Sequence, residues 1–331
     1  MIITKTPFRI SFCGGGTDLP DFYKKNNGQV LSTTIDKYMY ILVKKQTGII
    51  EHKYKIHWNK TEFKNNISQI NHPIIKKTLQ YFKINYPIEI SSYSDIPAST
   101  GLGSSSAFTV GLVKALCALQ KKTMTKKKIS EIASKIEVDF IKRRIGRQDH
   151  YATCYGGLNH ITFFKNDTIK VRKVIISKKN RKKLENSLSL VYTNMKRNAD
   201  KVLSYQYKPN KDQSKHLLGM KKNVNEFKKI LYKEKIEIKE IGKFLIKQWS
   251  LKKKINKISN KKIDKMYKKL ISLGIYGAKL LGAGQGGFLL LASNKDVQKK
   301  IKSNLGSKNF IKVRFDNDGA KLVYRSENLI K

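Results

Sequence analysis

The sequence predicts an α+β fold in two domains, and three observations point to it. Segments with strand and helix periodicity follow one another without a regular βαβ alternation. The 331 residues are 40% hydrophobic and 10% aromatic, enough for a sizeable core and too apolar for a disordered polycation. From about residue 165 the chain becomes richer in Lys, which sets the expected boundary between domains at 1–165 and 166–331.

The first strand runs from Ile2-Ile3 to Phe12, and the glycine triplet Gly14 to Gly16 ends it. Val30 to Ile35 and Tyr38 to Val43 are rich in β-branched and aromatic residues and predict two more strands. Lys53 to Trp58 alternates and predicts another, Ile74 to Phe82 a helix, and Ile88 to Ser94 a strand. Phe108, Leu112, Ala115, Leu116 and Leu119 recur at helical spacing and predict a helix from about Ser105 to Gln120. Ile129 to Ile145 has the same period, and Leu158 to Phe164 returns to strand character. Segments 214–235, 237–255 and 261–273 predict amphipathic helices with Lys on their outer faces. Phe288 to Leu291 predicts a strand, Asp296 to Asn304 a helix, and Lys312 to Phe315 and Leu322 to Tyr324 strands.

The net charge of +45 makes nucleic acid the first partner to test. The charge is lopsided: residues 1–120 hold 15 Lys and Arg against 7 Asp and Glu, a net +8, so the other 211 residues carry +37. Only nine of the basic residues are Arg. Lys, Asn and Ile are all encoded by AT-rich codons, so a codon bias would give this composition with no selection for a polyanion partner. No RNA-binding aromatic motif and no Cys/His finger is present, and no nucleic-acid partner is expected. Cys13, Cys117 and Cys154 are odd in number and widely spaced, which argues against a disulfide scaffold and a zinc site and fits a reducing cytoplasm. The N-terminal MIITKTPFRISFCGGG has no long apolar run before Lys5 and Arg9, and the apolar stretch Ala107 to Leu119 is too short to span a bilayer. A cytoplasmic protein without membrane association is expected.

Four motifs carry chemistry. Pro97 to Ala107, P-A-S-T-G-L-G-S-S-S-A, joins a strand to an apolar helix. Its glycines allow close backbone approach, and the helix start adds unpaired amides and positive field, a place to hold phosphates. A Gly/Ser turn with an N-cap is the alternative. No G-K-[ST] follows, so it is not a Walker A loop. Gly282-Ala283-Gly284-Gln285-Gly286-Gly287 precedes an apolar strand and by itself reads only as a tight turn. In Pro7 to Asp18, Arg9 sits inside an apolar strand and Asp18 follows flexible turns; taken alone, each is more often a surface residue than a site residue. Asp149, in Gly146-Arg147-Gln148-Asp149, lies just past a predicted helix, where a general base or an Asx turn fits.

Together, P-F-R-I…G-G-G-T-D, P-A-S-T-G-L-G-S-S-S-A and K-L-L-G-A-G-Q-G-G-F resemble, in order, the three motifs of the GHMP kinase superfamily. The resemblance runs from about residue 4 to 325 and is weak between 165 and 275. It implies an N-terminal ATP-binding domain of the ribosomal-S5-domain-2 type and a ferredoxin-like C-terminal domain. Within the superfamily the chain looks most like the heptose 7-phosphate kinases. Where galactokinases read G-E-H-T-D, this chain has Gly15 and Gly16 in place of Glu and His, and retains Asp18.

The resemblance implies ATP and Mg²⁺, and a phosphorylated sugar accepting phosphate at C1, in a monomer or homodimer. Pro97, Gly101, Leu102, Gly103, Ser104, Ser105, Ser106 and Ala107 would wrap the ATP phosphates. Ser105 and Glu137 would hold the metal. Asp149 would take the hydroxyl proton, with Arg9 beside it. Gly15, Gly16, Thr17, Asp18, Gly282, Ala283 and Gly284 would contact the substrate. Arg197, with Lys252 and Lys253 as lesser candidates, would bind a substrate phosphate.

Overall fold

The computed structural model describes residues 1–195, 211–255 and 258–326. Two long strands, β1 (Ile2–Cys13) and β2 (Gly28–Lys45), pair antiparallel from Ile2↔Val43 to Cys13↔Leu31. β2 is one strand where two were expected. Asp36 and Lys37, which break the apolar pattern, bulge opposite the Pro7/Phe8 step without ending the ladder. Around this pair a mixed nine-stranded sheet assembles. β5 (Ile88–Ser94) joins β2, and β3 (Tyr54–His57) lies parallel to β5 with β4 (Thr61–Lys64) at the edge. β6 (Leu158–Phe163) pairs with the first half of β2 and makes a hairpin with β7 (Ile169–Lys173). A second, antiparallel sheet orders β11 (Phe310–Lys312), β8 (Leu188–Tyr192), β10 (Phe288–Ala292) and β9 (Gly277–Leu280).

The helices are α1 (Pro20–Asn26), α2 (Pro73–Tyr81), α3 (Ser104–Leu119), α4 (Lys126–Ser134), α5 (Gln148–Tyr155), α6 (Lys178–Ser187), α7 (Lys211–Leu231), α8 (Ile238–Lys253), α9 (Lys261–Ser272) and α10 (Lys295–Leu305). α3 packs on β1 and β2 and is apolar on nearly every side, so it is buried almost throughout. The Phe12 ring meets Phe227 at 5.0 Å, and Phe227 stacks on Phe244 at 4.5 Å, carrying one core from β1 into α7 and α8.

One further expectation is corrected. The helix expected over Ile129 to Ile145 ends at Ser134; Lys135–Phe140 is a wider π turn and residues 141–147 are not helical. The apolar period persists, but the widened turn carries the Glu137 carboxylate inward to Ser105 and Thr109 on α3 and His150 on α5. The first sheet also takes strands from beyond residue 165. β7, β12 (Phe315–Asp316) and β13 (Lys321–Arg325) all belong to the first sheet, β13 along β1 and β12 along β2. The rise in Lys tracks exposed helix faces, which composition reports and pairing does not.

Candidate active site

The loops after β1, before α3, before α5 and between β9 and β10 gather around one cleft. Arg9, at the middle of β1, is fixed there by its backbone: its amide donates to the Leu102 carbonyl at 3.0 Å, and its Nη1 to the Gly101 carbonyl at 2.7 Å. The rest of the guanidinium forks onto Asp149, Nε to Oδ1 at 2.7 Å and Nη2 to Oδ2 at 2.6 Å. Such a bidentate pair fixes the carboxylate plane as well as its position. The Arg9 side chain is 5% exposed and that of Asp149 20%, so the carboxylate faces the cleft while the guanidinium is enclosed. Gly103, at φ +76°, makes room for the pair: a Cβ there would stand 3.2 Å from Asp149 Oδ2 and 3.3 Å from Arg9 Cγ.

Gly103 is also the residue before α3, and no side chain caps that helix. Ser104, Ser105 and Ser106 line the cleft at its start, so the partial positive charge of the helix N-terminus faces the cavity. The glycine turn 282–287 supports the loop from below. The Phe288 amide donates to the Thr100 carbonyl at 3.2 Å, and at Gly287 (φ +93°) a Cβ would fall 2.2 Å from that oxygen.

Glu137 is fully buried behind this loop. Ser105 Oγ donates to Oε2 at 2.6 Å, Thr109 Oγ1 to Oε1 at 2.7 Å, and His150 Nε2 lies 3.0 Å from Oε1. Arg143 Nη1 donates to both Ser105 Oγ (2.5 Å) and Glu137 Oε2 (2.6 Å). Burial pushes the Glu137 carboxyl up, but the hydrogen bond and charge of His150, then Arg143 and Ser105, outweigh it and hold it at about 2. A hydroxyl and a carboxylate side by side at a helix start are hard oxygen donors of the kind Mg²⁺ takes, one or two from protein and the rest from water and phosphate. The donor set fits the ion, with the Arg143 guanidinium now bridging the same two oxygens.

Asp18 lines the cleft wall beside Gly15 and Gly16, but its oxygens accept the amides of Gly16 (2.8 Å) and Gln148 (3.1 Å). It thereby ties the turn after β1 to the start of α5. Burial, then the charge of Asp149, raises its carboxyl above the usual range, against the pull of the two amides. Thr17 is turned away: its hydroxyl donates to the Gly14 and Gln29 carbonyls and accepts the Gln29 amide, so it braces the turn and does not line the cleft. Gly282 and Ala283 line the cleft; Gly284 instead packs against Ile258. Gly101 and Gly103 face the cavity, whereas Pro97, Leu102 and Ala107 shape the loop from outside the lining. Lys252 lines the cleft, its Nζ donating to the Leu280 and Gly282 carbonyls; Lys253 is exposed and lies over the Trp249 ring. Arg197 falls outside the described residues.

Three site residues were missed from sequence: Arg143, His150 and Lys279. Lys279 is buried in β9, and its Nζ donates to the Ser11 (2.9 Å) and Phe12 (2.8 Å) carbonyls, stapling the second sheet to the end of β1 beside Arg9. Burial lowers its ammonium to about 8, with the Cys13 thiol raising it and Arg9 lowering it further. One signal was available: Lys279 stands between Ala278 and Leu280-Leu281, a cation inside an apolar strand.

Comparison with known proteins bears on this geometry. Residues 72–157 match the GHMP kinases N terminal domain and residues 230–312 the GHMP kinases C terminal domain. The chain is 30% identical over 307 residues to the D-glycero-alpha-D-manno-heptose 7-phosphate kinase of Campylobacter jejuni, covering 87% of this chain and 88% of that one. It is 25% identical to the galactokinase of Pyrococcus furiosus over 91% of both. A solved D-glycero-D-manno-heptose 1-phosphate kinase from Bacteriodes thetaiotaomicron superposes with a TM-score of 0.79 at 22% identity, covering 99% of this chain and 100% of that one, a likeness of fold.

Proposed function

The chain belongs to the GHMP kinases, and on that premise we propose that it is an ATP-dependent sugar kinase whose acceptor is the C1 hydroxyl of D-glycero-D-manno-heptose 7-phosphate. The 1,7-bisphosphate would be its product, a precursor of nucleotide-activated heptose. The observation that carries the reading is the Arg9–Asp149 fork, held in one cleft with the uncapped start of α3. Likeness to the Campylobacter heptose 7-phosphate kinase favours this sugar. So does the GGGTD turn, where Gly15 and Gly16 leave space that Glu and His fill in galactokinases.

In the mechanism this supports, Gly101, Gly103 and Ser104 to Ser106 receive the triphosphate, with backbone amides and the α3 dipole facing charge that spreads over the transferred phosphoryl group. Asp149, its orientation fixed by Arg9, accepts the proton of the attacking hydroxyl. An anomeric hydroxyl is more acidic than an ordinary alcohol, which eases that transfer. Ser105 and Glu137 would hold Mg²⁺, which when bound supplies charge neutralisation at the phosphates. Lys279 adds positive field from beneath the cleft while keeping the β1 end in place.

A coupled ATP-turnover assay over heptose 7-phosphate, galactose and fucose tests the assignment. A charge-assisted contact to the substrate phosphate is worth about 1.5–3 kcal/mol, so kcat/KM for heptose 7-phosphate should exceed the others by about 10–150-fold. Equal or better turnover of galactose or fucose would assign the other sugar.

A further inference from the structure

Away from the cleft, α6, α10 and β11 enclose a second groove. Its walls have a regular composition. From α6 it takes Lys178, Arg181, Lys182 and Glu185, and from α10 Lys295, Gln298, Lys299 and Lys302, in each case positions i, i+3, i+4 and i+7, a single helix face. Lys312 and Arg314 complete it. Eight cations thus meet one acid, whereas the whole chain has 69 to 24. Codon bias accounts for an even excess of Lys, not for two helix faces turned into one concavity.

The single acid is already engaged. Glu185 Oε1 accepts the Arg181 Nε (3.2 Å) and the Phe315 amide (2.9 Å). The other two arms of Arg181 hold Asn317 Oδ1 and the Phe315 carbonyl, which makes a rigid floor. Gln298, 7% exposed, fixes the separation of the walls by donating to the Asn186 carbonyl at 2.9 Å. Among the described residues Lys299 reaches only Asp296, at 3.8 Å on the solvent side, and Lys178, Lys182, Lys295 and Lys302 have no acid within 4 Å. Converging like charges repel, and an anion in the groove relieves that repulsion.

We propose that this groove binds a chain of closely spaced phosphates, a condensed polyphosphate. Each wall spans about 10 Å at 1.5 Å per residue. A nucleic-acid strand brings only a few phosphates over that length, at about 3.4 Å per nucleotide even when stacked, and single strands are held by exposed aromatic platforms. Here Phe315 is buried and Phe310 partly so. Seven cations besides the engaged Arg181 over so short a path match phosphates linked directly through shared oxygens.

The test is binding of short-chain inorganic polyphosphate to the full-length protein, beside a single-stranded RNA of equal charge. The groove variant replaces Lys178, Lys182, Lys299 and Lys302 by Gln. A control removes the same charge from α9 by replacing Lys261, Lys265, Lys268 and Lys269, all exposed. The groove variant should bind polyphosphate at least about tenfold more weakly, with the slope of log K against log salt reduced by about one per Lys removed. Its melting temperature and kinase turnover should be unchanged, and the control should bind within about twofold of wild type. Equal weakening by both variants would reduce the groove to net charge. Tighter binding of the RNA than of polyphosphate would replace the ligand class, and either result overturns the proposal.

Discussion

Asp149→Asn separates chemistry from scaffolding at the Arg9 fork. The substitution keeps the shape of the side chain but exchanges one acceptor oxygen for an NH₂ that faces the Arg9 donors, so one of the two bonds is lost and the other trades its anionic acceptor for a neutral amide oxygen. Each such bond is worth about 1.5–3 kcal/mol, and the part-exposed acid puts the loss at about 3 kcal/mol. Unfolding entropy of about 2.1 cal/mol/K per residue gives about 0.7 kcal/mol/K for 331 residues, so Tm should fall by about 4 °C. Loss of a positioned base costs about 10²–10⁴ in rate. The expected result in a coupled ATP assay is therefore kcat down by about 10²–10⁴, KM for ATP within a few-fold, and a small drop in Tm by calorimetry. A variant that loses about 4 °C yet keeps kcat within tenfold of wild type would show Asp149 to be a brace and refute its role as base.

Two further outcomes follow from buried charges. The Glu137 carboxyl, at about 2 in the fold against an ordinary 4.5, stabilises the protein above pH 4.5 and loses that contribution as pH falls towards 2; Glu137→Gln should flatten this acid limb in urea titrations between pH 5 and 2 and abolish turnover. Lys279 has the opposite sign: its ammonium is about 8 folded and 10.5 unfolded, so the unfolded chain binds more protons between those values and wild-type stability should gain from pH 8 to 10.5, a rise that Lys279→Met should remove.

Much of the architecture was legible because it rests on local patterns. The apolar period of α3, the β-branched runs of β1 and β2 and the glycine turns mark their elements in the chain itself. Arg9 and Asp149, 140 residues apart, were linked through motif resemblance, and the structure brings them together. Other features depend on distant pairing. Lys279 is hidden by composition, since among so many solvated Lys one buried cation has no distinguishing mark except its apolar neighbours. Arg143 and His150 become site residues only because the π turn swings Glu137 inward. Thr17 looks like a ligand in the GGGTD turn, yet its hydroxyl is consumed by that turn's own carbonyls.

The seating of β13 along β1 carries a consequence for biogenesis. Cys13, at the end of β1, precedes Lys321, at the start of β13, by 308 positions, so the outer edge of β1 has no partner in this sheet until residues 321–325 are made. At about 5–20 residues per second that interval is some tens of seconds. Throughout it the nascent chain presents an unpaired strand edge to other chains, the condition under which β-proteins associate wrongly. Closure of this edge of the first sheet thus waits on the synthesis of β13, and crowded polysomes or slowed translation of the Lys-rich stretch would prolong the exposure.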